Sequence, residues 1–143
     1  MVADKSQRVL WFEQEHWEQM ASDVQDRLPE EACGLIGGLQ AQVFQVFPIQ
    51  NTLHSPVRFR LDPKEQVDVF NLLEKQGWEL IGIYHSHPAG PSYPSLTDIA
   101  ESAYPDTVYL IWFPQGDGWV CRGFIIHDGS YHEVRLGIKP GKE

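Results

Sequence analysis

Cysteine, long apolar runs and basic charge are all scarce in this sequence. Cys33 and Cys121 are the two cysteines in 143 residues, too few for the disulfide framework of a small secreted domain. No stretch approaches the roughly 18 apolar residues that a membrane span needs. The opening Met-Val-Ala-Asp-Lys leads into charged and polar residues, without the apolar run and small-residue cleavage site of a signal peptide. The expected setting is therefore cytoplasmic, with both thiols reduced. Lysine and arginine total 11 against 20 acidic residues, a formal net charge of −9. That excludes the broad basic footprint of a nucleic-acid binder and a surface that docks on anionic lipid. The two basic pairs, Arg58 with Arg60 and Lys139 with Lys142, read as solvated surface.

What is present suits one domain spanning 1–143, with a core over about 9–138. Hydrophobic residues make up 42% and include five tryptophans, enough for one core at this length. There is no internal repeat and no low-complexity segment. Val9 to Phe12 is a short apolar start. From Glu13 to Leu28, the residues Trp17, Met20, Val24 and Leu28 recur at helical spacing, and Pro29 ends the helix. Ala32 to Gly38, Gln42 to Ile49 and Val57 to Leu61 read as strands. Asp62 caps a second helix with Pro63 as its first residue. That helix carries an apolar stripe of Val67, Phe70 and Leu73 and stops at Gly77. Glu79 to His87 is a strand, and 88–94 is a loop with three prolines and a glycine. Ser95 starts a short helix that ends before Pro105. Three strands follow: Val108 to Phe113, Trp119 to His127 and Tyr131 to Ile138. Gly-rich turns join them as hairpins. The fold class is α/β, a curved, mixed but largely antiparallel sheet flanked by helices.

The chemistry concentrates in His85-Ser86-His87 followed by Ser95 and Asp98. Residues two apart on a strand point to the same face, so both imidazoles meet at the strand's end. Asp98, one turn into the next helix, can swing back as a third ligand. Two histidines and a carboxylate leave a zinc ion one open position, the mark of a catalytic site. Each part also has a plainer reading: a pair of ordinary histidines, and a Ser-x-x-Asp capping box. The other histidines, His16, His54, His127 and His132, have no partner at ligand spacing. A base is also needed. Glu31 stands at the edge of the apolar Ala32 to Gly38 strand with no evident structural task, and Glu30 beside it competes for the same reading. Cys33 reads as a small hydrophobe, with redox sensing as the alternative.

Glu31-Ala-Cys-Gly-Leu-Ile-Gly-Gly, then His85-Ser-His87-Pro, six residues, and Ser95-x-x-Asp98 resembles the complete motif of the JAMM (MPN+) metallopeptidase family. The segment from Asn51 to Pro63 resembles its bacterial members. The likeness runs from about Val9 to Ile138. It implies an architecture related to cytidine deaminases and one Zn²⁺ per chain held by His85, His87 and Asp98. It also implies Glu31 as general base for the attacking water and Ser95 as donor to the oxyanion. The small bacterial branch, marked here by Tyr84-His-Ser-His and Tyr93-Pro-Ser-x-Thr-Asp98, implies a substrate class. That class is a small ubiquitin-like sulfur carrier (ThiS-, MoaD- or CysO-like), cut after its C-terminal Gly-Gly. A deubiquitinase-like isopeptidase and a non-catalytic MPN scaffold are the alternatives. A zinc deaminase would need a Cys-x-x-Cys pair, which is missing.

Overall fold

A computed structural model describes residues 8–140. The elements run β1 (Val9–Phe12), α1 (Gln14–Arg27), β2 (Cys33–Leu39), β3 (Gln42–Ile49), α2 (Pro63–Gln76), β4 (Glu79–Ser86), α3 (Leu96–Glu101), β5 (Val108–Gln115), β6 (Gly118–His127) and β7 (Ser130–Ile138). No helix among the described residues is long and apolar enough to cross a membrane.

The strands lie in the order β1-β3-β2-β4-β5-β6-β7, and β7 returns to β1 to close a barrel. Four of the pairings are antiparallel, while β4–β5, β1–β7 and β1–β3 are parallel. The expected curved, mixed sheet thus closes into a barrel. The closing strand is the four-residue β1. It matches Val9 to Phe12 against Arg135 to Ile138 on one side and meets β3 through the single pair Trp11–Gln42 on the other.

The central strands are apolar on both faces, as strands covered on both sides must be. Leu35, Ile83 and Tyr109 point into a cluster completed by Val69 and Leu73 of α2, whereas Ile36, Tyr84 and Leu110 point into one completed by Met20 and Val24 of α1. Alternation along β4 then places His85 on the face of Ile83, under α2, and Tyr84 and Ser86 on the face of α1. Gly34 is a glycine because a Cβ there would lie 2.2 Å from the Tyr84 ring.

Two local readings shift. Helix α1 buries His16, Met20 and Val24, with Trp17 half-buried beside them. Leu28 falls beyond the helix and is 41% exposed. Helix α2 buries Val69 and Leu73 and leaves Val67 56% exposed, so the stripe is turned from the expected one. Its caps are as expected: Asp62 Oδ1 accepts from the Lys64 and Glu65 N–H groups, and Gly77 ends the helix at φ 73°.

Residues 57–61 form no strand; only Leu61 makes a bridge, to Asn51. The Asn51 side chain supplies the partners that a neighbouring strand would have given. Its Nδ2 donates to the carbonyls of Arg58 (2.9 Å) and Glu31 (3.1 Å), and its Oδ1 accepts from the N–H groups of Leu53 and Arg60, both at 3.1 Å. Asn51 is 3% exposed, and a buried amide is stable there because its bonds are made.

Candidate metal centre

The site forms where β4 leaves the sheet. His85 is registered opposite Cys33 of β2. His87 prolongs the parallel ladder, its N–H donating to the Trp112 carbonyl at 2.8 Å. Ser86, on the opposite face, ties the strand end to the segment carrying Glu31: its hydroxyl accepts from the Ala32 N–H at 2.8 Å, and its own N–H donates to the Ala32 carbonyl at 3.0 Å. Main-chain register therefore sets Glu31 beside His87.

Asp98 arrives from α3. Ser95 is the N-cap of that helix. Its Oγ accepts from the Asp98 N–H at 3.0 Å, and its N–H donates to Asp98 Oδ2 at 2.9 Å. This box orients the carboxylate. Oδ2 lies 3.1 Å from His85 Nε2 and 3.0 Å from His87 Nε2, and the two Nε2 atoms are 3.1 Å apart. A zinc ion with tetrahedral bonds of about 2.0–2.1 Å needs ligand atoms about 3.3 Å apart, so the triangle fits such an ion to within a few tenths of an ångström. His87 Nδ1 donates to the Pro91 carbonyl at 2.7 Å, which leaves the Nε2 lone pair facing the triangle. His85 Nδ1 is buried without a partner among the described residues.

Burial pushes Glu31 up to about 8, with His87 pulling down and Asp98 adding to the rise. Glu31 is 4% exposed, and its carboxyl makes no hydrogen bond among the described residues. Burial also raises Asp98, but the His85 and His87 imidazoles and the Ser95 N–H outweigh it and hold the group well below the usual carboxylate range. Burial lowers His85, against the raising effect of Asp98. In His87 the bonds to Asp98 and Pro91 overcome burial and raise it.

The structure separates Glu30 from Glu31: Glu30 turns away to His54 Nδ1 at 3.1 Å. The Ser95 cap uses Oγ as an acceptor, so its hydroxyl hydrogen is free to donate elsewhere. Cys33 is fully buried, its thiol donates to the Ile49 carbonyl at 3.5 Å, and burial pushes it up to about 12. An inert small hydrophobe behaves that way. His16 is buried and caps α1, its Nδ1 accepting from the Glu13 N–H. Arg58 pairs with Glu101 at 2.6 Å.

Three contributors escape sequence reasoning. Phe59 stacks on the His85 ring at 4.5 Å and 23°. Asn51 holds the loop that carries Phe59, and the Pro91 carbonyl orients His87. A cavity of about 430 Å³ opens beside the triangle, walled by Phe59, Leu61, Pro63 and Tyr109 and reaching His85 and Asp98. A second cavity, about 390 Å³ between Leu10, Leu39, Ile81 and Val134, includes none of the triangle.

A family profile described as prokaryotic homologs of the JAB domain matches residues 13–121, a span that holds Glu31, His85, His87, Ser95 and Asp98. The chain belongs to this JAB/MPN family. Among relatives, a desampylase of Haloferax volcanii is 37% identical over 91 residues, 62% of this chain and 66% of that protein. A CysO-cysteine peptidase of Mycobacterium tuberculosis is 36% identical over 113 residues, 77% of each chain. The match thus spans just under two thirds of the desampylase. Among solved structures, the solution structure of a Desulfitobacterium hafniense protein superimposes with a TM-score of 0.83 at 33% identity, covering 93% of this chain and 94% of that one.

Proposed function

We propose that this JAB-family chain is a zinc-dependent peptidase that hydrolyses the amide bond after the C-terminal Gly-Gly of a small ubiquitin-like sulfur carrier. The observation that carries the reading is the triangle of His85 Nε2, His87 Nε2 and Asp98 Oδ2 with the buried Glu31 carboxyl beside it. The names of the relatives support the substrate class, since they include a CysO-cysteine peptidase and a desampylase.

In this reading His85, His87 and Asp98 hold Zn²⁺. Bound there, zinc supplies Lewis acidity and brings a coordinated water to a pKa of roughly 7. Glu31 takes a proton from the attacking water and returns it to the leaving amine. Burial raises the Glu31 carboxyl and a neighbouring dication would lower it, so the two together set its strength as a base. The free Ser95 hydroxyl hydrogen donates to the oxygen of the scissile carbonyl as charge develops on it, a contact worth about 3 kcal/mol. Burial of the triangle excludes bulk water and strengthens these interactions. Phe59, Leu61 and Tyr109 line the approach with apolar surface. The two glycines bring no side chain to the acyl side of the bond, so an extended tail can draw its last carbonyl up to the metal centre.

The test is a mass-spectrometric cleavage assay with zinc-loaded protein and a sulfur carrier extended beyond its Gly-Gly. Cleavage after the second glycine is expected, lost with a chelator and in Glu31→Gln. No cleavage by protein that holds zinc would overturn the substrate assignment. Cleavage of a ubiquitin conjugate in its place would move the reading to a deubiquitinase-like isopeptidase. Undiminished turnover when the penultimate glycine carries a bulky side chain would sink the Gly-Gly requirement.

A further inference from the structure

The loop that follows His87 is held from outside the metal centre. Arg122, on β6, forks onto Glu133 of β7: Nε donates to Oε2 at 3.0 Å and Nη2 to Oε1 at 2.6 Å. Its guanidinium lies 5.5 Å over the Phe124 ring. The third arm, Nη1, donates to the Ser92 hydroxyl at 3.0 Å and to the Ser92 carbonyl at 3.4 Å. One residue earlier, the Pro91 carbonyl accepts from His87 Nδ1. Among the described residues, the side chains hydrogen-bonded to 88–94 are those of His87 and Arg122, and the loop's own main-chain tie is Gly90 N–H to the His87 carbonyl.

We propose that Arg122 is a positioning residue for the metal centre. By pinning Ser92 it keeps the Pro91 carbonyl against His87 Nδ1, which holds His87 in the tautomer and ring orientation that present Nε2 to the metal. A histidine ligand gains basicity and a fixed tautomer from the group its other N–H meets, and losing such a partner typically costs 10- to 100-fold in metal affinity. His85 Nδ1 has no such partner among the described residues, so tautomer control in this pair rests on His87. Arginine suits the task because its planar fork serves a carboxylate and a second acceptor at once, which a lysine ammonium does not.

The inference rests on His87 being a metal ligand. Two effects of removing Arg122 have opposite signs. Deleting a positive charge near a bound cation tightens zinc binding, whereas releasing the 88–94 loop weakens it. Zinc affinity is measured by chelator competition at fixed pH and salt for the wild type, Arg122→Ala and Arg122→Lys. Histidine ¹H–¹⁵N spectra of the metal-free proteins follow the His87 Nδ1–H signal, and thermal melts confirm folding. Positioning gives about tenfold weaker binding in Arg122→Ala. It also gives weaker binding in Arg122→Lys, which keeps the charge and loses the fork, and a His87 Nδ1–H signal that broadens or disappears in both. Zinc binding as tight as the wild type or tighter, with that signal intact, overturns the role of Arg122. Should Arg122→Ala not fold, Arg122→Lys decides by the same comparison. A wild type that binds no zinc overturns the underlying reading of His87 instead, which separates the two failures.

Discussion

Glu31→Gln should raise the stability of the metal-free protein even as it abolishes catalysis, and the gain should grow with pH. Burial lifts the Glu31 carboxyl from 4.5 to about 8. Between those values the folded state binds more protons than the unfolded one, so stability falls as pH rises, opposite in sign to an ordinary carboxylate. The favourable neutral form is intact below pH 4.5 and is lost as pH rises toward 8. Linkage puts the stability lost to the raised Glu31 pKa, relative to low pH, at about 1 kcal/mol at pH 5.5 and about 4 kcal/mol at pH 7.5. Asp98, held far down, is ionised throughout that window in both states. The His85 and His87 shifts run in opposite directions; the His85 causes do not include Glu31, while the Glu31 carboxylate is the last-ranked cause of the His87 rise and is lost in the variant. Glutamine keeps the shape and never ionises. Its amide can move the stability by a constant, so the pH slope is the diagnostic. The assay is urea unfolding of both proteins in a chelator at pH 5.5 and 7.5. The stability difference should widen by about 2–3 kcal/mol in favour of Glu31→Gln. A difference that stays flat would show that Glu31 titrates normally and is not the buried acid–base group. Added zinc should shrink the gap, because a neighbouring dication favours the carboxylate.

Ser95→Ala removes a cap and, in the proposed mechanism, an oxyanion donor together. The expected losses are about 1 kcal/mol of stability and about 100-fold in kcat with little change in KM; a variant that keeps its kcat would leave Ser95 a cap only. Gly34→Ala sets a Cβ 2.2 Å from the Tyr84 ring and 2.6 Å from the Phe47 carbonyl. The ring is tethered through its hydroxyl to Asp23 at 2.7 Å and cannot retreat freely. Overpacking there should cost about 3 kcal/mol and lower Tm by roughly 10 °C, so an unchanged melt would contradict this packing. Asn51→Ala strips partners from the Arg58 carbonyl and the Leu53 and Arg60 N–H groups of the 51–61 loop, and from the Glu31 carbonyl. It should speed amide exchange across that loop and cost about 3 kcal/mol; wild-type exchange rates there would refute its role as the loop's hub.

The site was most legible where its geometry is local. His85 and His87 share a face because strand alternation has a period of two, and Ser95 and Asp98 meet because a capping box joins residues three apart. The Asp62-Pro63 start, the Gly77 stop and the β5–β6 and β6–β7 hairpins are equally local. What stayed hidden depends on long-range pairing. β1 has four residues, too few for a pattern to name β7 as its partner, so barrel closure could not be foreseen. Val57 to Leu61 looks like a strand, but the Asn51 side chain provides its hydrogen bonds. Phe59 meets the His85 ring only in the tertiary fold, from a loop with no local spacing to His85. Glu31 differs from Glu30 by register alone, which β2 and the Ser86 bonds to Ala32 set.

The central claim is that His85, His87 and Asp98 hold one zinc ion with Glu31 beside it and one coordination position open. Anomalous diffraction at the zinc edge from crystals of the zinc-loaded protein tests it most directly. The account predicts one peak per chain about 2.0–2.2 Å from His85 Nε2, His87 Nε2 and an Asp98 carboxylate oxygen, with the Glu31 carboxylate adjacent but not bonded. A peak elsewhere, or one at this site with Glu31 bound as a fourth protein ligand that closes the open position, would contradict it.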